Sequence, residues 1–170
     1  LYRQDEQRLR RGEGDSFPAT DVSAWGVQVF LALKSINPDI YESSGISNID
    51  LDKILQFEEK TSKVSIEYEG IQYDNLYRWS DTEECPVSFE PTRAMAVAYK
   101  TKGEQSKADA IEQDVLNYSK ALGSGDFIFY ADQNQVLNYP YSGWLVYMVP
   151  ALSTSAGQYA QLHFGSYFFP

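Results

Sequence analysis

Apolar residues recur at helical spacing in the first third of the chain. Val22, Trp25 and Val29 lie three or four residues apart, which is the period of one helix face. A threonine or aspartate at positions 20–21 predicts the start of this helix as its cap. Pro38 predicts its end near residue 37, because the residue before a proline disfavours helix. We expect Trp25 to lie in the core.

The same periodicity predicts four further helices, over residues 47–59, 89–102, 104–122 and 153–168. Asn48 or Asp50 is expected to cap the first of these four, and Gly103 favours the end of the helix over 89–102. The helix over 153–168 is rich in small residues, which allow close packing.

The period changes from helical to alternating after residue 63. Val64, Ile66 and Tyr68 alternate with polar residues, and a Glu-Gly turn follows them, so a small β-hairpin is predicted over 64–73. Residues 1–19 are polar and charged, which predicts an exposed lead-in with a frayed basic helix. The pattern as a whole predicts a mainly α protein, with residues 20–170 forming a single domain of helical hairpins.

Composition narrows the classes of partner. The 170 residues include 14 Lys and Arg against 24 Asp and Glu, a net charge of −10, which disfavours nucleic acid and anionic membrane surfaces. The longest apolar run, 144–152, is less than half the roughly 20 residues that a membrane-spanning helix needs. One Cys and one His exclude a disulfide framework within the chain and a multi-ligand Cys or His metal site, so neither metal nor cofactor is predicted.

Several segments resemble one family of helical proteins. The segment Thr20–Gly26 resembles a "D-x-x-A-W" helix start, and Glu90–Tyr99 resembles an "E-G-T-x-x-M-A-x-A-Y" helix. Tyr139–Tyr141 with Ser153–Ala160 resembles a "Y-P … S-T-A-x-x-W" closing helix, and Gly165–Pro170 resembles a "G-x-N-P-F" terminus. In order and spacing these motifs resemble the six-hairpin glycosidase-like α/α-toroid superfamily.

This resemblance implies a ring of helical hairpins around a carbohydrate-binding mouth. About five helices make half a ring, resembling the C-terminal half, so the domain is expected to be part of a larger toroid. A second, local resemblance covers residues 94–122, which look like a tetratricopeptide helix pair without further repeats.

The toroid resemblance implies a catalytic carboxylate at the mouth, and Glu90 is the candidate for the acid. Glycoside hydrolysis uses two carboxyl groups, so a partner is expected from the acidic residues at 81–84, Asp81 among them, or from Asp132. A structural alternative is that Glu90 is favoured at a helix start by the helix dipole, with Pro91 at the first helical position.

Flat aromatic side chains in irregular segments are suited to stacking on sugar rings. The alternative is that they bury their loops against the helices. The candidates for substrate binding are Trp79, Tyr77, Tyr139 and Tyr141.

Two function classes follow. The first is a carbohydrate-active, glycoside hydrolase-like protein that uses paired carboxylates in an aromatic-lined groove. The second is a non-catalytic carbohydrate-binding or protein-interaction and assembly module, whose open helix faces would be covered by a homo-oligomer or by the remainder of the same polypeptide. The composition slightly favours a periplasmic or extracellular protein.

Overall fold

A computed structural model describes residues 2–13, 19–81, 85–125, 128–129, 131–133, 135–137 and 144–146. The described part is mainly helical, and its strands form antiparallel pairs. A 3-10 helix covers Ile46–Asn48. The helices are α1 (Thr20–Ile36), α2 (Pro38–Ser43), α3 (Leu51–Thr61), α4 (Phe89–Thr101) and α5 (Gln105–Ala121). The paired strands are β1 (Tyr2–Arg3) with β2 (Arg8–Leu9), β3 (Lys63–Tyr68) with β4 (Ile71–Tyr77), and β5 (Gln135–Leu137) with β6 (Trp144–Val146).

The predicted helices around residues 20–37, 89–102 and 104–122 are confirmed as α1, α4 and α5. The predicted second helix corresponds to α3, which begins at Leu51 after the 3-10 helix. Asp50 caps it, since its Oδ1 accepts hydrogen bonds from the backbone of Asp52 (3.1 Å) and Lys53 (3.3 Å). The β-hairpin is also confirmed, and β4 extends it to Tyr77. The predicted helix 153–168 lies outside the described residues.

The short helix α2 was not predicted, because Pro38 was interpreted only as the end of α1. Proline also suits the first position of a helix, where its missing N–H is not needed. Asn37 allows the second helix to begin there: its Oδ1 accepts from the backbone N–H of Ile40 at 3.2 Å. The chain therefore turns at one residue and continues as helix.

The N-terminal segment differs from the expected frayed helix. Residues 2–9 form the antiparallel ribbon of β1 and β2, in which Tyr2 pairs with Leu9. Arg8 and Leu9 are buried. Leu9 packs onto α1 at Gly26, where a Cβ would lie only 2.0 Å from the Cδ1 of Leu9. The absent side chain of Gly26 is thus what allows the ribbon to approach the helix, a contact between distant residues that local patterning does not reveal.

Helix α4 lies at the centre of the core. Its residues from Pro91 to Tyr99 are all buried, between α1, α5 and β4. The hairpin β3–β4 covers α5 through aromatic contacts, with the ring of Tyr118 centred 5.8 Å from Tyr68 and 4.9 Å from Tyr73. Helices α4 and α5 form a helical hairpin, as the pattern predicted. No helix among the described residues has the length and apolar character to cross a membrane.

The expectation that Trp25 lies in the core is wrong. Its side chain is exposed, as is that of Val29 one turn later. Residues on the opposite side of α1, such as Val27, are fully buried against α4 instead. An amphipathic pattern identifies an apolar helix face but not whether another element covers it.

Candidate functional site

The starts of α1 and α4 are both anchored on the end of strand β4. The backbone N–H of Thr20 donates to the carbonyl of Trp79 (3.0 Å), and its hydroxyl donates to the carbonyl of Arg78 (2.8 Å). The backbone N–H of Ser88 donates to the carbonyl of Tyr77 at 3.0 Å. We call this meeting point of residues 77–81 with the two helix starts the junction.

The two helices run parallel from the junction. Farther along, the side-chain amide of Gln28 donates to the carbonyl of Ala94 at 3.1 Å, so α1 and α4 stay in register. Parallel helices point their positive dipole ends the same way, and carboxylates near those ends are stabilised. The junction is therefore a favourable place for acidic side chains.

Thr92 fixes the start of α4 to β4 from within the core. Its buried hydroxyl accepts from the backbone N–H of Tyr77 (3.0 Å) and lies 2.7 Å from the carbonyl of Ser88, to which it can donate. One hydroxyl thus joins a strand end to the first turn of a helix, which limits how far the two can separate.

Asp132 is held beside the start of α4. Its backbone N–H donates to the carbonyl of Val87 (3.1 Å), next to the bridge between Ser88 and Ala131. The hydroxyl of Tyr118 donates to Oδ2 of Asp132 at 3.2 Å, whereas Oδ1 is buried and has no hydrogen-bond partner among the described residues. Burial raises the pKa of Asp132 above its ordinary value, since the charged form is poorly solvated there. This carboxyl group is chemically suited to holding and releasing a proton.

Glu90 is the second residue of α4 and is half-buried. Paired residues of an antiparallel bridge have Cα atoms about 5 Å apart. The bridge between Ser88 and Ala131 is antiparallel, so Asp132 lies opposite Val87, on the side of the bridge away from Glu90. The two predicted carboxylates therefore flank the start of α4, Glu90 in its first turn and Asp132 beside the residue that precedes its cap.

Asp81, the third predicted carboxylate, lies at the far side of the junction. It is exposed, and its Oδ1 accepts from the hydroxyl of Ser80 at 3.2 Å. It lies nearer the start of α1, where Asp21 occupies the first turn. Burial raises the pKa of Asp21. The junction therefore carries acidic residues at both helix starts.

Tyr77 and Trp79, the aromatic candidates within the described residues, do not form an open surface on which a sugar ring could stack. Tyr77 is buried at the end of β4 and belongs to the core. Trp79 is 8% exposed and packs against Ala19 and Ala131, with the guanidinium carbon of Arg11 lying 5.9 Å from its ring centre. These positions correspond to the alternative in which aromatic residues bury their loops. Tyr139 and Tyr141 lie outside the described residues.

Sequence reasoning missed a buried carboxyl group behind the junction, that of Glu58 in α3. Glu58 accepts hydrogen bonds from the hydroxyls of Ser23 (2.6 Å) and Ser62 (2.7 Å), and burial raises its pKa. The charge of Asp81 raises this pKa further. A signal was present: Glu58 falls on the same face of α3 as the buried Ile54, where an ionisable residue is unusual.

In the residues that the structure describes, no three or more His, Cys, Asp or Glu side chains are grouped to hold a metal ion. Comparisons with protein families, with curated proteins and with solved structures find no match to this chain.

Proposed function

We propose that this chain is a carbohydrate-active, glycoside hydrolase-like protein whose chemistry takes place at the junction. The observation that supports the proposal is the antiparallel bridge between Ser88 and Ala131, which holds Asp132 beside the start of α4, the helix whose first turn contains Glu90. Burial raises the pKa of Asp132, and its Oδ1 has no hydrogen-bond partner among the described residues. A carboxylic acid that keeps its proton is what a general acid requires.

In this proposal Asp132 protonates the leaving oxygen of the glycosidic bond. Glu90 acts as the second carboxylate, either as a base that activates water or as the nucleophile. This reverses the role expected for Glu90 from the sequence, because Asp132 is the group whose pKa is raised by burial. Tyr118 is a positioning residue, since its hydroxyl donates a hydrogen bond to Oδ2 of Asp132.

The direction of the helices supports the same proposal. Two neighbouring parallel helices, α1 and α4, each pack against an antiparallel partner, α3 and α5. Successive hairpins of an α/α toroid would have this arrangement, with their helix starts around one mouth. We infer on the same ground that the chain forms part of such a ring.

The test is hydrolysis of a panel of oligosaccharides and polysaccharides, followed by the release of reducing ends. Asp132→Asn and Glu90→Gln are expected to lower turnover by about 10²–10⁴-fold, the usual contribution of general acid or base catalysis. The control is Asp109→Asn, which changes an exposed carboxylate near the start of α5, at the opposite end of the helices. Turnover unchanged in both junction variants would refute the roles assigned to Asp132 and Glu90.

A second candidate function, a protein-interaction and assembly module, is favoured by a separate observation. Apolar side chains are exposed along α1 and α2, outside the junction. Exposed apolar surface of this kind marks an interaction site in soluble proteins.

Binding of a glycan without turnover, unaffected by either junction variant, would instead favour a non-catalytic carbohydrate-binding module.

A further inference from the structure

A row of side chains crosses the junction and ends at the proposed acid. Arg78 pairs with Val87 in one antiparallel bridge, and the next bridge pairs Ser88 with Ala131. The second bridge places Asp132 opposite Val87, and the backbone N–H of Asp132 donates to the carbonyl of Val87 at 3.1 Å. Residues directly opposite each other in an antiparallel pair have their side chains on the same face. Arg78, Val87 and Asp132 therefore lie side by side on one face.

This row sets the separation between Arg78 and Asp132. Neighbouring strands lie about 5 Å apart, so two such spacings put the Cα atoms of Arg78 and Asp132 about 10 Å apart. Val87 lies between them and is 2% exposed. Among the described residues the guanidinium of Arg78 makes no ion pair, and its charge acts on Asp132 from across the valine.

The backbone of Arg78 is fixed by the elements that meet at the junction. Its N–H donates to the carbonyl of Ser62 after α3 (2.9 Å), and its carbonyl accepts from the hydroxyl of Thr20 at the start of α1 (2.8 Å). The bridge to Val87 holds its other side. A charge on a fixed backbone stabilises a developing charge well, because little has to reorient during the reaction.

The distance between the two groups suits a carboxyl group that must release a proton. A guanidinium in direct contact would favour the ionised carboxylate, and the proton would be lost before the reaction. Burial has the opposite effect, because it favours the protonated form and opposes release. In Asp132 burial is the larger effect and raises the pKa, while the hydrogen bond from Tyr118 and the charge of Arg78 act against it.

Ionisable groups approach Asp132 from each neighbouring element. In α5, Tyr118 donates to Oδ2, and Lys120 is exposed in the last turn. Glu90 lies in the first turn of α4. Of the cations in the described part of the chain, Arg78 is the one whose charge acts on Asp132.

We propose that Arg78 is a positioning residue for Asp132, and that its charge stabilises the carboxylate that remains when Asp132 has given up its proton. The inference rests on the proposed function. In that reaction the O–H bond of Asp132 breaks, its proton passes to the leaving oxygen, and the glycosidic C–O bond breaks. The negative charge that remains lies in a buried place of low polarity, where a nearby fixed positive charge has a large effect.

The first experiment follows the titration of Asp132 by NMR of the full chain with isotope-labelled aspartate carboxyl groups, and Asp132→Asn assigns the signal. Arg78→Gln is expected to lower the acid dissociation constant of Asp132 about three- to tenfold, because a positive charge about 10 Å away is lost. The midpoint of its titration then moves to higher pH. Arg78→Met, which keeps the aliphatic part of the side chain, is expected to give the same shift.

Two controls separate the charge of Arg78 from other effects. Arg78→Lys keeps a positive charge, so the titration of Asp132 should stay near that of the wild type. Lys53→Gln also removes one positive charge, but from the first turn of α3, the helix whose other end meets the junction. Urea unfolding confirms that each variant is folded.

Three results would overturn the inference. The first is an Asp132 midpoint that does not move in Arg78→Gln or Arg78→Met. The second is an equal shift in Arg78→Lys, which would assign the effect to packing. The third is an equal shift in Lys53→Gln, which would assign the effect to the net charge of the chain.

The second experiment measures the pH profile of turnover on a glycan that the wild type hydrolyses. A general acid loses activity as the pH rises above its pKa, so the alkaline limb should move to higher pH in Arg78→Gln while the acid limb, assigned to Glu90, stays in place. Equal movement of both limbs overturns the inference. A chain without turnover in which Asp132 still responds to Arg78 refutes the proposed function alone, so the two failures are distinguishable.

Discussion

A buried ion pair joins the two helices of the central hairpin and offers a sharp test of the packing. Arg93 of α4 donates from Nε to Oε2 of Glu112 in α5 at 3.1 Å, and from Nη2 to Oε1 at 2.6 Å. The two residues are 2% and 5% exposed. The perturbation is Glu112→Leu, which removes the carboxylate and leaves the guanidinium in the core.

The expected cost follows from the burial of the pair. Removing one partner of a buried ion pair costs about 3–5 kcal/mol, since the other charge has already been taken out of water. For a chain of this size about 1 kcal/mol shifts the midpoint of thermal unfolding by roughly 2–4 °C, so Tm should fall by roughly 6–20 °C. The exposed pair of Arg3 and Asp5 has a similar distance of 3.1 Å, and Asp5→Leu should leave Tm nearly unchanged because water screens that pair.

The assay is a double-mutant cycle measured by urea unfolding. Glu112→Leu and Arg93→Met are each expected to destabilise strongly, whereas the double variant should lose less than their sum, since it removes both charges of the pair together. Two single variants within about 0.5 kcal/mol of the wild type would refute the buried pair. A double variant that loses the full sum would show that the two side chains act independently.

Two further predictions concern the groups that hold the junction together. Burial raises the pKa of Glu58 above its ordinary value of 4.5, so its contribution to stability is greatest at low pH and is lost as the pH rises through the folded-state pKa. Glu58→Gln should therefore gain stability relative to the wild type as the pH rises. The measurement is urea unfolding of both proteins from about pH 4 to about pH 8. A stability difference between them that does not change with pH would contradict the prediction. Thr92→Val should lower the free energy of unfolding by about 1–3 kcal/mol, because the buried N–H of Tyr77 loses its acceptor. Thr92→Ser keeps the hydroxyl and should lose less stability. Equal losses in the two variants would argue against the hydrogen bond.

Local patterning was sufficient for most of the helical framework. Helices α1, α4 and α5 begin and end within two residues of their predicted bounds, because their apolar spacing, Pro38 and Gly103 are local signals. Helix α2 was missed because a proline can both end one helix and begin another. The ribbon at residues 2–9 was missed because its burial depends on Gly26, which is distant in sequence.

The carboxylates of the proposed site were named from the sequence, but their places in the fold were not. Asp132 lies beside the start of α4 because of the backbone bridge between Ser88 and Ala131. Which of them is the better acid depends on burial, and burial is a property of the assembled core. Tyr77 was named for an open surface, yet it lies in the core because β4 continues to that residue.

The sequence by itself determined where the helices and the hairpin form, since those depend on spacing, caps and turns within a few residues. It also determined the charge balance and the acidic character of the segments that meet at the junction. Only the tertiary structure decided which apolar faces are covered. Trp25 remains exposed although its helix is amphipathic, and Glu58 is buried although it is acidic. The reason is physical: burial and hydrogen bonding depend on contacts between residues distant in sequence, and no local pattern encodes them.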